Sequence, residues 1–254
     1  CNPSKFVRCY VIDDDIDFES KQLLRFSVKN ARMNSDVEFL KINKEFFTNV
    51  VISDRIPETA YYRIAIPELF RGTEVERILY MDCDMIALQD ISKLWRLDFG
   101  DSIVAAVEDA GFHQRLEKMK ISAKSMRYFN SGLMLINVKK WLDENITQKV
   151  LDFIEHNPEK LRFHDQDALN AILHDRWLPL HPRWNAQGYI MAKAKKHPTA
   201  AGEREYEETR NNPYIIHFSG HVKPWSKDFE GPTKKYYEKY AGMTAFRCVA
   251  KFPK

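Results

Sequence analysis

This 254-residue chain has few cysteines, no long apolar runs and no large excess of charge of one sign. Its four cysteines are scattered and none forms a Cys-x-x-Cys pair, which argues against a disulfide framework and a thiolate zinc site. No apolar stretch approaches the ~18 residues that a membrane-spanning helix requires, and no signal peptide is recognisable. These absences predict a cytoplasmic protein without a membrane span.

The 39 basic and 36 acidic residues are interspersed and leave a net charge of only +3. Totals of this kind do not indicate a nucleic-acid partner. The exception is the segment 231–254, where basic and aromatic residues alternate: Lys234, Lys235, Tyr236, Tyr237, Lys239, Tyr240, Phe246, Arg247, Lys251, Phe252 and Lys254. We expect a helical extension there that is compatible with peripheral contact with the inner face of a membrane, and a solvated amphipathic helix end is the competing interpretation.

What the chain does contain is a regular alternation of apolar, strand-like runs with helical patterns, which predicts a single α/β domain with a mainly parallel sheet flanked by helices. The predicted strands are Phe6-Ile12, Val37-Ile42, Ile78-Met81, Ile103-Val107, Leu133-Val138 and Tyr214-Phe218. The predicted helices are Phe18-Lys29, Thr59-Phe70, Ile91-Trp95, Lys139-His156 and Asp167-His174. Residues 194–212, rich in Lys, Glu and Arg, are predicted to be a mobile polar insertion.

The motif Asp82-Cys83-Asp84 places two carboxylates between the apolar runs Ile78-Met81 and Met85-Leu88. Burying charge without a partner costs several kcal/mol, and a bound cation would remove that cost. The bare Asp-x-Asp pattern also occurs at Asp13/Asp15, Asp15/Asp17 and Asp165/Asp167. On the spacing alone, a divalent-cation site for a phosphorylated ligand and a solvated strand end are equally good interpretations.

Polar residues also flank other predicted strands, and in open α/β sheets ligands bind at the carboxyl ends of strands. Glu108 and Asp109 follow one strand, and the sequence from His217 to Gly220 ends another. The sequence Asn130-Ser131-Gly132 instead precedes its strand, so Asn130 is expected to reach the same crevice from a loop.

Five motifs, in this order and spacing, resemble the retaining nucleotide-sugar glycosyltransferases of family 8 over roughly the whole chain, in particular the bacterial stress-protein and lipopolysaccharide galactosyl- or glucosyltransferase type. The motifs are Thr59-Ala60-Tyr61-Tyr62-Arg63, Ile78-Leu79-Tyr80-Met81-Asp82-Cys83-Asp84, Tyr128-Phe129-Asn130-Ser131-Gly132, His164-Asp165-Gln166-Asp167-Ala168-Leu169-Asn170, and His217-Phe218-Ser219-Gly220 with Lys223-Pro224-Trp225. The resemblance implies a GT-A fold in residues 1–230, a UDP-galactose or UDP-glucose donor, and a saccharide or lipid-linked acceptor.

The resemblance further implies that Asp82, Asp84 and His217 hold Mn²⁺ or Mg²⁺ on the donor diphosphate. Carboxylate and imidazole ligands suit these ions. A core histidine that hydrogen-bonds backbone is the competing interpretation of His217. Gly220 and Lys223 would approach the phosphates, by backbone and by charge respectively.

The remaining site residues are also implied by the resemblance. Arg63, Cys83, Asn130 and Ser131 would bind the nucleotide sugar, and Asp109 would lie where donor and acceptor meet. Arg63 could instead pair with Glu58 or Glu68 on its own helix.

The predicted catalytic residues are Gln166, Asp165 and Asp167. Gln166 would lie nearest the anomeric carbon, and Asp165 would bind donor hydroxyls. An amide is a poor nucleophile, so we expect attack from the face that the leaving phosphate departs rather than a covalent intermediate. A capping box at the start of the following helix is the competing interpretation of Asp165 to Asp167, and both roles can hold together.

In one respect the chain departs from the family pattern. Phe6-Ile12 corresponds to the family's second strand, so the first strand, whose acidic motif contacts uracil and ribose, is expected to be absent from the 254 residues. Two other functions compete with transfer. One is a haloacid-dehalogenase-type phosphatase, although Ile86 stands where that class has Thr or Val, and the other is a non-catalytic sugar-nucleotide-binding protein.

Overall fold

A computed structural model of the chain describes residues 6–31, 34–47 and 58–248. All six predicted strands are present within these ranges, with ends that differ by a few residues. Three very short strands, of two or three residues each, were not among the predicted strands, although one of them lies in the apolar run Met85-Leu88. The strands are β1 Val7–Ile12, β2 Ser35–Leu40, β3 Arg77–Met81, β4 Met85–Ala87, β5 Val104–Glu108, β6 Phe129–Asn137, β7 Trp177–Pro179, β8 Ala186–Gln187 and β9 Ile215–His217.

All five predicted helices are present; the first and the last are single helices that are slightly longer than predicted, and the other three are shorter or divided. Asn145, in the left-handed conformation at φ 55°, divides the predicted helix 139–156 in two, and Pro67 confines the helix that contains Arg63 to a single turn followed by a 3₁₀ segment. The helices are α1 Phe18–Asn30, α2 Tyr62–Ala65, α3 Ser92–Trp95, α4 Arg115–Lys118, α5 Val138–Asp143, α6 Ile146–His156, α7 His164–Leu173, α8 Gly188–Met191, α9 Ala200–Asn211 and α10 Lys234–Ala241.

The prediction of a polar insertion over residues 194–212 was wrong, because most of that segment is helix α9. Its Glu and Arg residues are good helix formers. Thr199 caps the helix by accepting a hydrogen bond from the Gly202 N–H at 3.1 Å, and Tyr206 is buried against the body of the protein. The absence of a broad apolar stripe concealed this helix in the sequence.

The α/β class is confirmed, but the strands are not arranged in one mainly parallel sheet. They form three sheets with the orders β1-β2, β3-β6-β5-β7 and β4-β9-β8. The pairs β1/β2, β5/β7 and β8/β9 are parallel, and the pairs β3/β6, β4/β9 and β5/β6 are antiparallel. Parallel neighbours are usually joined by a crossover helix, whereas the connection between the antiparallel strands β5 and β6 contains only the single-turn helix α4.

The antiparallel course of β6 explains how residues that precede the predicted strand reach the site. Strand β6 begins at Phe129, so Asn130 lies in the strand rather than in a loop entering it. Its N-terminal residues lie beside the carboxyl ends of β3 and β5, with Met81 opposite Leu133 and Glu108 opposite Phe129. Residues that were predicted to lie at opposite ends of their strands therefore meet at one edge of the sheet.

Strand β6 divides the core by its alternation of side chains. Met134 and Ile136 face the cluster formed with α5, α6 and α7, while Leu133 and Leu135 face the cluster that contains Leu94. A period of two is what a strand buried on both faces produces.

In the predicted extension, every residue of α10 is at least partly exposed. Within the described ranges, no helix combines the length and apolar character needed to cross a membrane.

Candidate metal centre and active site

The Asp82-Cys83-Asp84 motif joins two sheets. Its first carboxylate follows β3, where the Asp82 N–H donates to the Gly132 carbonyl at 2.8 Å and extends the ladder to β6. Strand β4 then begins at Met85, which lies opposite His217 in the antiparallel pair with β9. A residue more than a hundred positions away is thus held beside the pair by backbone register.

Asp82, Asp84 and His217 form a cluster whose potential ligand atoms lie within 4.8 Å of one another. The His217 Nε2 atom is 3.4 Å from Asp84 Oδ1 and 3.7 Å from Asp82 Oδ2. Asp84 Oδ1 is buried and has no hydrogen-bond partner among the residues that the structure describes. Since buried polar atoms are nearly always satisfied, this orphaned oxygen and the mixed oxygen and nitrogen donors fit a divalent cation such as Mn²⁺.

Gly132 provides the space in which the three ligands converge. A Cβ atom at this position would lie 2.5 Å from His217 Cε1, 2.8 Å from Asp82 Oδ2 and 3.0 Å from Asn130 Oδ1. Glycine inside a strand often marks a close approach of this kind. That signal was present in the sequence, although no role was predicted for Gly132.

Lys223 neutralises part of the carboxylate charge. Its Nζ atom donates to Asp84 Oδ2 at 2.6 Å and to the Phe218 carbonyl at 2.9 Å. Burial by itself would raise the pKa of Asp84, but His217 in its protonated form and the Lys223 ammonium group outweigh it and lower that pKa to about 2. Asp84 is therefore an ionised carboxylate at neutral pH, as a metal ligand must be.

Arg63 lies between the metal cluster and the start of α7. Its guanidinium contacts Asp82 at 3.1 Å and Asp165 at 3.1 Å and donates to Ser131 Oγ at 2.9 Å. The Tyr80 hydroxyl donates to Asp82 Oδ1 at 2.6 Å from the same side. Glu68, one of the alternative partners suggested by the sequence, pairs with Arg71 instead.

Asp165 is buried beside this arginine. Burial raises its pKa to about 6, and Arg63 only partly offsets that effect. The unfolded chain keeps the ordinary value of 3.8. Because the folded pKa is the higher of the two, the contribution of Asp165 to stability is present at pH 4 and is lost as pH rises to about 6.

Asp165→Asn should therefore become more stable than the parent protein as pH rises. In metal-free protein with EDTA, we expect the difference in unfolding free energy to shift toward the variant by about 3 kcal/mol between pH 3 and pH 7.5. Urea unfolding at several pH values measures it.

Asp175→Asn is the matched control with the opposite sign. Asp175 accepts hydrogen bonds from the backbone N–H groups of Lys124 and Ser125, which outweigh burial and lower its pKa. Its substitution should become less favourable as pH rises from about 3 through the unfolded value of 3.8. Equal slopes for the two variants would contradict the buried-charge account of Asp165.

Gln166 is fixed by one partner on β6 and one that directly follows β5. Its Oε1 atom accepts from the Ser131 N–H at 3.0 Å, and its Nε2 atom donates to Asp109 Oδ2 at 3.0 Å. Asn130 donates to the same Asp109 oxygen at 3.0 Å. Asn170, fully buried on α7, bonds the Phe129 backbone through both ends of its amide and so fixes α7 against β6.

Asp167 is not brought to this group. Its fully buried carboxylate accepts from Arg115 at 2.8 and 2.6 Å, from the Tyr128 hydroxyl at 2.8 Å, and from the N–H groups of Arg162 and Phe163. The last two bonds hold the chain immediately before α7, as a capping residue does. With every lone pair engaged, Asp167 acts structurally, and we leave it out of the proposed catalytic set.

The other predicted contacts lie around the cluster. Cys83 is exposed between the two aspartates with a free thiol. Gly220 is exposed in the turn after β9, and among the described residues other than its chain neighbours the nearest atom to a Cβ placed there would be the Val222 carbonyl oxygen at 4.0 Å. The protein alone therefore does not explain this glycine.

A second group, Glu108, His113 and His197, also has ligand atoms within 4.8 Å, but its hydrogen bonds already satisfy it. Glu108 accepts from Arg127 at 2.8 Å and bonds His113 at 2.9 Å. The Thr199 N–H donates to His197 Nδ1 at 3.0 Å, which leaves the proton on Nε2, so that this nitrogen, 3.9 Å from Glu108 Oε2, has no free lone pair for a metal ion. We interpret these three side chains as holding the segment before α9 in place.

Comparison with known proteins places these features in context. Residues 1–228 match the model of the family described as glycosyl transferase family 8. General stress protein A of Bacillus subtilis strain 168 is 44% identical over 245 residues, which cover 96% of this chain and 85% of that protein. Lipopolysaccharide 1,2-glucosyltransferase of Escherichia coli K12 is 29% identical over 180 residues, 70% of this chain and 52% of that protein.

A solved structure of the galactosyltransferase LgtC, in complex with donor and acceptor sugar analogues, superposes with a TM-score of 0.81. The match covers 99% of this chain and 88% of that chain at 23% identity, a level that speaks for the fold alone. The predicted GT-A fold is thereby confirmed. The chain spans about half the length of the Escherichia coli relative.

Proposed function

This chain belongs to glycosyltransferase family 8, and we propose that, within this class of hexosyltransferase, it moves galactose or glucose with retention from a UDP-sugar, in a reaction that depends on a divalent metal ion. The observation that carries the proposal is the Asp82, Asp84 and His217 cluster, with its unpartnered buried oxygen, beside Gln166 and Arg63. The family match overturns the dehalogenase-type phosphatase alternative.

In this proposal the chain's charged residues bind and orient the donor. A bound Mn²⁺ would supply positive charge to the departing diphosphate. Lys223 adds a cation within reach of the same group, and Arg63 neutralises Asp82 and Asp165. Preorganised charges of this kind stabilise the negative charge that develops on a leaving group without reorganising during the reaction.

The carboxamide of Gln166 and the carboxylate of Asp165 would face the donor sugar. Because Gln166 is held at both ends by Ser131 and Asp109, its carboxamide is oriented before the sugar binds. A neutral amide can stabilise a cationic sugar ring without becoming a nucleophile, which supports attack from the leaving-group face. Asp109, bonded to both Gln166 and Asn130, would meet the acceptor hydroxyl.

For the acceptor we propose a saccharide or glycolipid. The lysine and tyrosine side chains of α10 are partly exposed and are compatible with contact with anionic lipid. Co-sedimentation of the protein with anionic and neutral vesicles tests that contact.

Incubation with UDP-galactose or UDP-glucose should release UDP in the presence of Mn²⁺, with slow transfer to water where no acceptor is present. EDTA should stop the release, and added Mn²⁺ should restore it, because the carboxylate pair cannot hold the diphosphate without a cation. Quantification of UDP by chromatography measures this, with inorganic phosphate release from sugar phosphates as the control for phosphatase activity.

Two outcomes would contradict the proposal. Release that continues unchanged in EDTA would refute the metal requirement. Calorimetric binding of a UDP-sugar in Mn²⁺, without any turnover when a panel of saccharide acceptors is offered, would favour the alternative of a non-catalytic sugar-nucleotide-binding protein.

A further inference from the structure

Asn185, for which no role was predicted, lies between the metal cluster and the donor-sugar residues. We propose that Asn185 is a positioning residue that fixes the His217 imidazole in the tautomer able to bind a metal ion. This role of Asn185 rests on the proposed metal-dependent function. The directions of the hydrogen bonds that support it do not depend on any bound ligand.

Asn185 is fully buried at the end of a 3₁₀ turn, Pro182–Asn185, that leads into β8. The register of β8 with β9 places Gln187 opposite His217, so the backbone sets the spacing between Asn185 and the imidazole. Its Oδ1 atom is 3.0 Å from His217 Nδ1, and its Nδ2 atom is 2.9 Å from Asn130 Oδ1. Both ends of this amide are therefore used by site residues.

The orientation of the Asn185 side-chain amide follows from a series of hydrogen bonds that begins at a backbone N–H group. The Gly132 N–H can only donate, and it points at Asn130 Oδ1 from 3.1 Å. Asn130 must therefore present its oxygen on that side, which agrees with its Nδ2 atom donating to the Asp109 carboxylate. The atom of Asn185 that faces Asn130 Oδ1 must then be the amide nitrogen, and its oxygen is left facing His217.

An amide oxygen can only accept, so His217 Nδ1 carries a proton in this arrangement. In a neutral imidazole the other nitrogen, Nε2, then has a free lone pair. Nε2 is the atom that faces Asp82 and Asp84, at 3.7 and 3.4 Å. Three electron-rich atoms thus point at one small volume, which is an arrangement for a cation and not for a hydrogen bond.

Without an acceptor at Nδ1, His217 would favour the Nε2–H tautomer instead of the Nδ1–H tautomer. The Nε2–H tautomer could donate to either aspartate, and a metal ion would have to displace that proton into an apolar surrounding. Hydrogen-bond partners that orient metal-binding histidines typically change metal affinity about 10- to 100-fold when removed. Asn185→Leu removes the acceptor at similar volume, whereas Asn185→Asp keeps an oxygen acceptor facing Nδ1 but sets a second carboxylate oxygen against Asn130 Oδ1 in place of the donated hydrogen bond.

Gln187 offers a matched control two residues along the chain. It is 1% exposed, accepts from the Ala110 N–H and donates to the Glu108 carbonyl, each at 2.9 Å. Gln187→Leu therefore also removes two buried hydrogen bonds, but its side chain makes neither of them to His217. Circular dichroism and urea unfolding establish that each variant folds.

The experiment measures two quantities in the full chain without donor. Nitrogen-15 NMR of histidine-labelled, metal-free protein at pH 8 reports the His217 tautomer, and titration with Mn²⁺ followed by electron paramagnetic resonance reports the affinity. We expect Nδ1–H in the wild type and in Asn185→Asp. Asn185→Leu should switch to Nε2–H and bind Mn²⁺ about 10- to 100-fold more weakly, while Gln187→Leu should match the wild type in both.

An Nε2–H tautomer in the wild type would overturn the inference, even if Asn185→Leu did not fold. So would a folded Asn185→Leu with wild-type affinity, or an equal loss in Gln187→Leu. If the wild type shows Nδ1–H but does not bind Mn²⁺, the proposed metal-dependent function fails while the tautomer assignment stands. The two failures are therefore distinguishable.

Discussion

Asp84→Asn should reduce Mn²⁺-dependent UDP release by at least about 1,000-fold, which corresponds to about 4 kcal/mol of lost transition-state stabilisation. The substitution keeps the shape of the side chain and removes its charge. It places an amide where the buried, unpartnered oxygen Oδ1 now faces His217 Nε2 at 3.4 Å. Lys223 would lose its carboxylate partner at 2.6 Å and would then add to the repulsion of a cation. Initial rates over a range of Mn²⁺ concentrations separate lost metal affinity from lost turnover.

Asp15→Asn is the control that the chain itself provides. Asp15 belongs to another Asp-x-Asp pair, is exposed, and has a φ of 59°, a conformation that asparagine adopts readily. This variant should keep wild-type rates and stability. If Asp84→Asn retained Mn²⁺-dependent release within a few-fold of the wild type, the metal assignment would be refuted.

The contrast between Asp84 and Asp15 also shows what the sequence could predict. Both belong to the same short pattern, and only the apolar runs beside Asp82-Cys83-Asp84 distinguished that copy. Those runs proved to be β3 and β4, which belong to two different sheets. The apolar runs indicated that the two aspartates are buried. The position of His217 opposite Met85 depends on strand pairing across more than a hundred residues, and local patterns do not encode such pairing.

The polarity of the strands was the main error, and Asn130 shows its consequence. With the predicted, mainly parallel sheet, Asn130 had to reach the site from a loop. The antiparallel course of β6 instead places it beside the ends of β3 and β5, buried and bonded to Asp109. Strand polarity depends on what connects the strands. No crossover helix was predicted between β5 and β6, where only the single-turn helix α4 lies.

Side-chain roles were harder to predict than positions. Asp165, Gln166 and Asp167 are consecutive on α7, yet the first two face the cluster while Asp167 faces Arg115 and Tyr128. Helical geometry rotates neighbouring residues by about 100°, so three adjacent polar residues cannot all share one site. Arg115, fifty-two positions from Asp167 in the sequence, carried no signal that would identify it as the partner.

Gly132→Ala should lower Mn²⁺-dependent UDP release about 100-fold or more while the protein remains folded. The added methyl group would occupy the point where His217, Asp82 and Asn130 approach most closely, at 2.5 to 3.0 Å. None of the three can retreat freely, because His217 is held by Asn185, Asp82 by Arg63 and Tyr80, and Asn130 by Asp109. Displacement of reacting groups by about 1 Å is enough for a loss of this size.

Gly188→Ala separates this effect from the general cost of adding a methyl group. A Cβ atom on Gly188 would meet only Ser219 Oγ, at 3.7 Å, which is an ordinary van der Waals contact, so its rate should stay within a few-fold of the wild type. Overpacking at Gly132 should cost about 1–3 kcal/mol of stability, which urea unfolding measures directly. A Gly132→Ala protein that keeps both wild-type turnover and wild-type Mn²⁺ affinity would mean that the three ligands do not need their present spacing, and the cluster would then not be the metal centre.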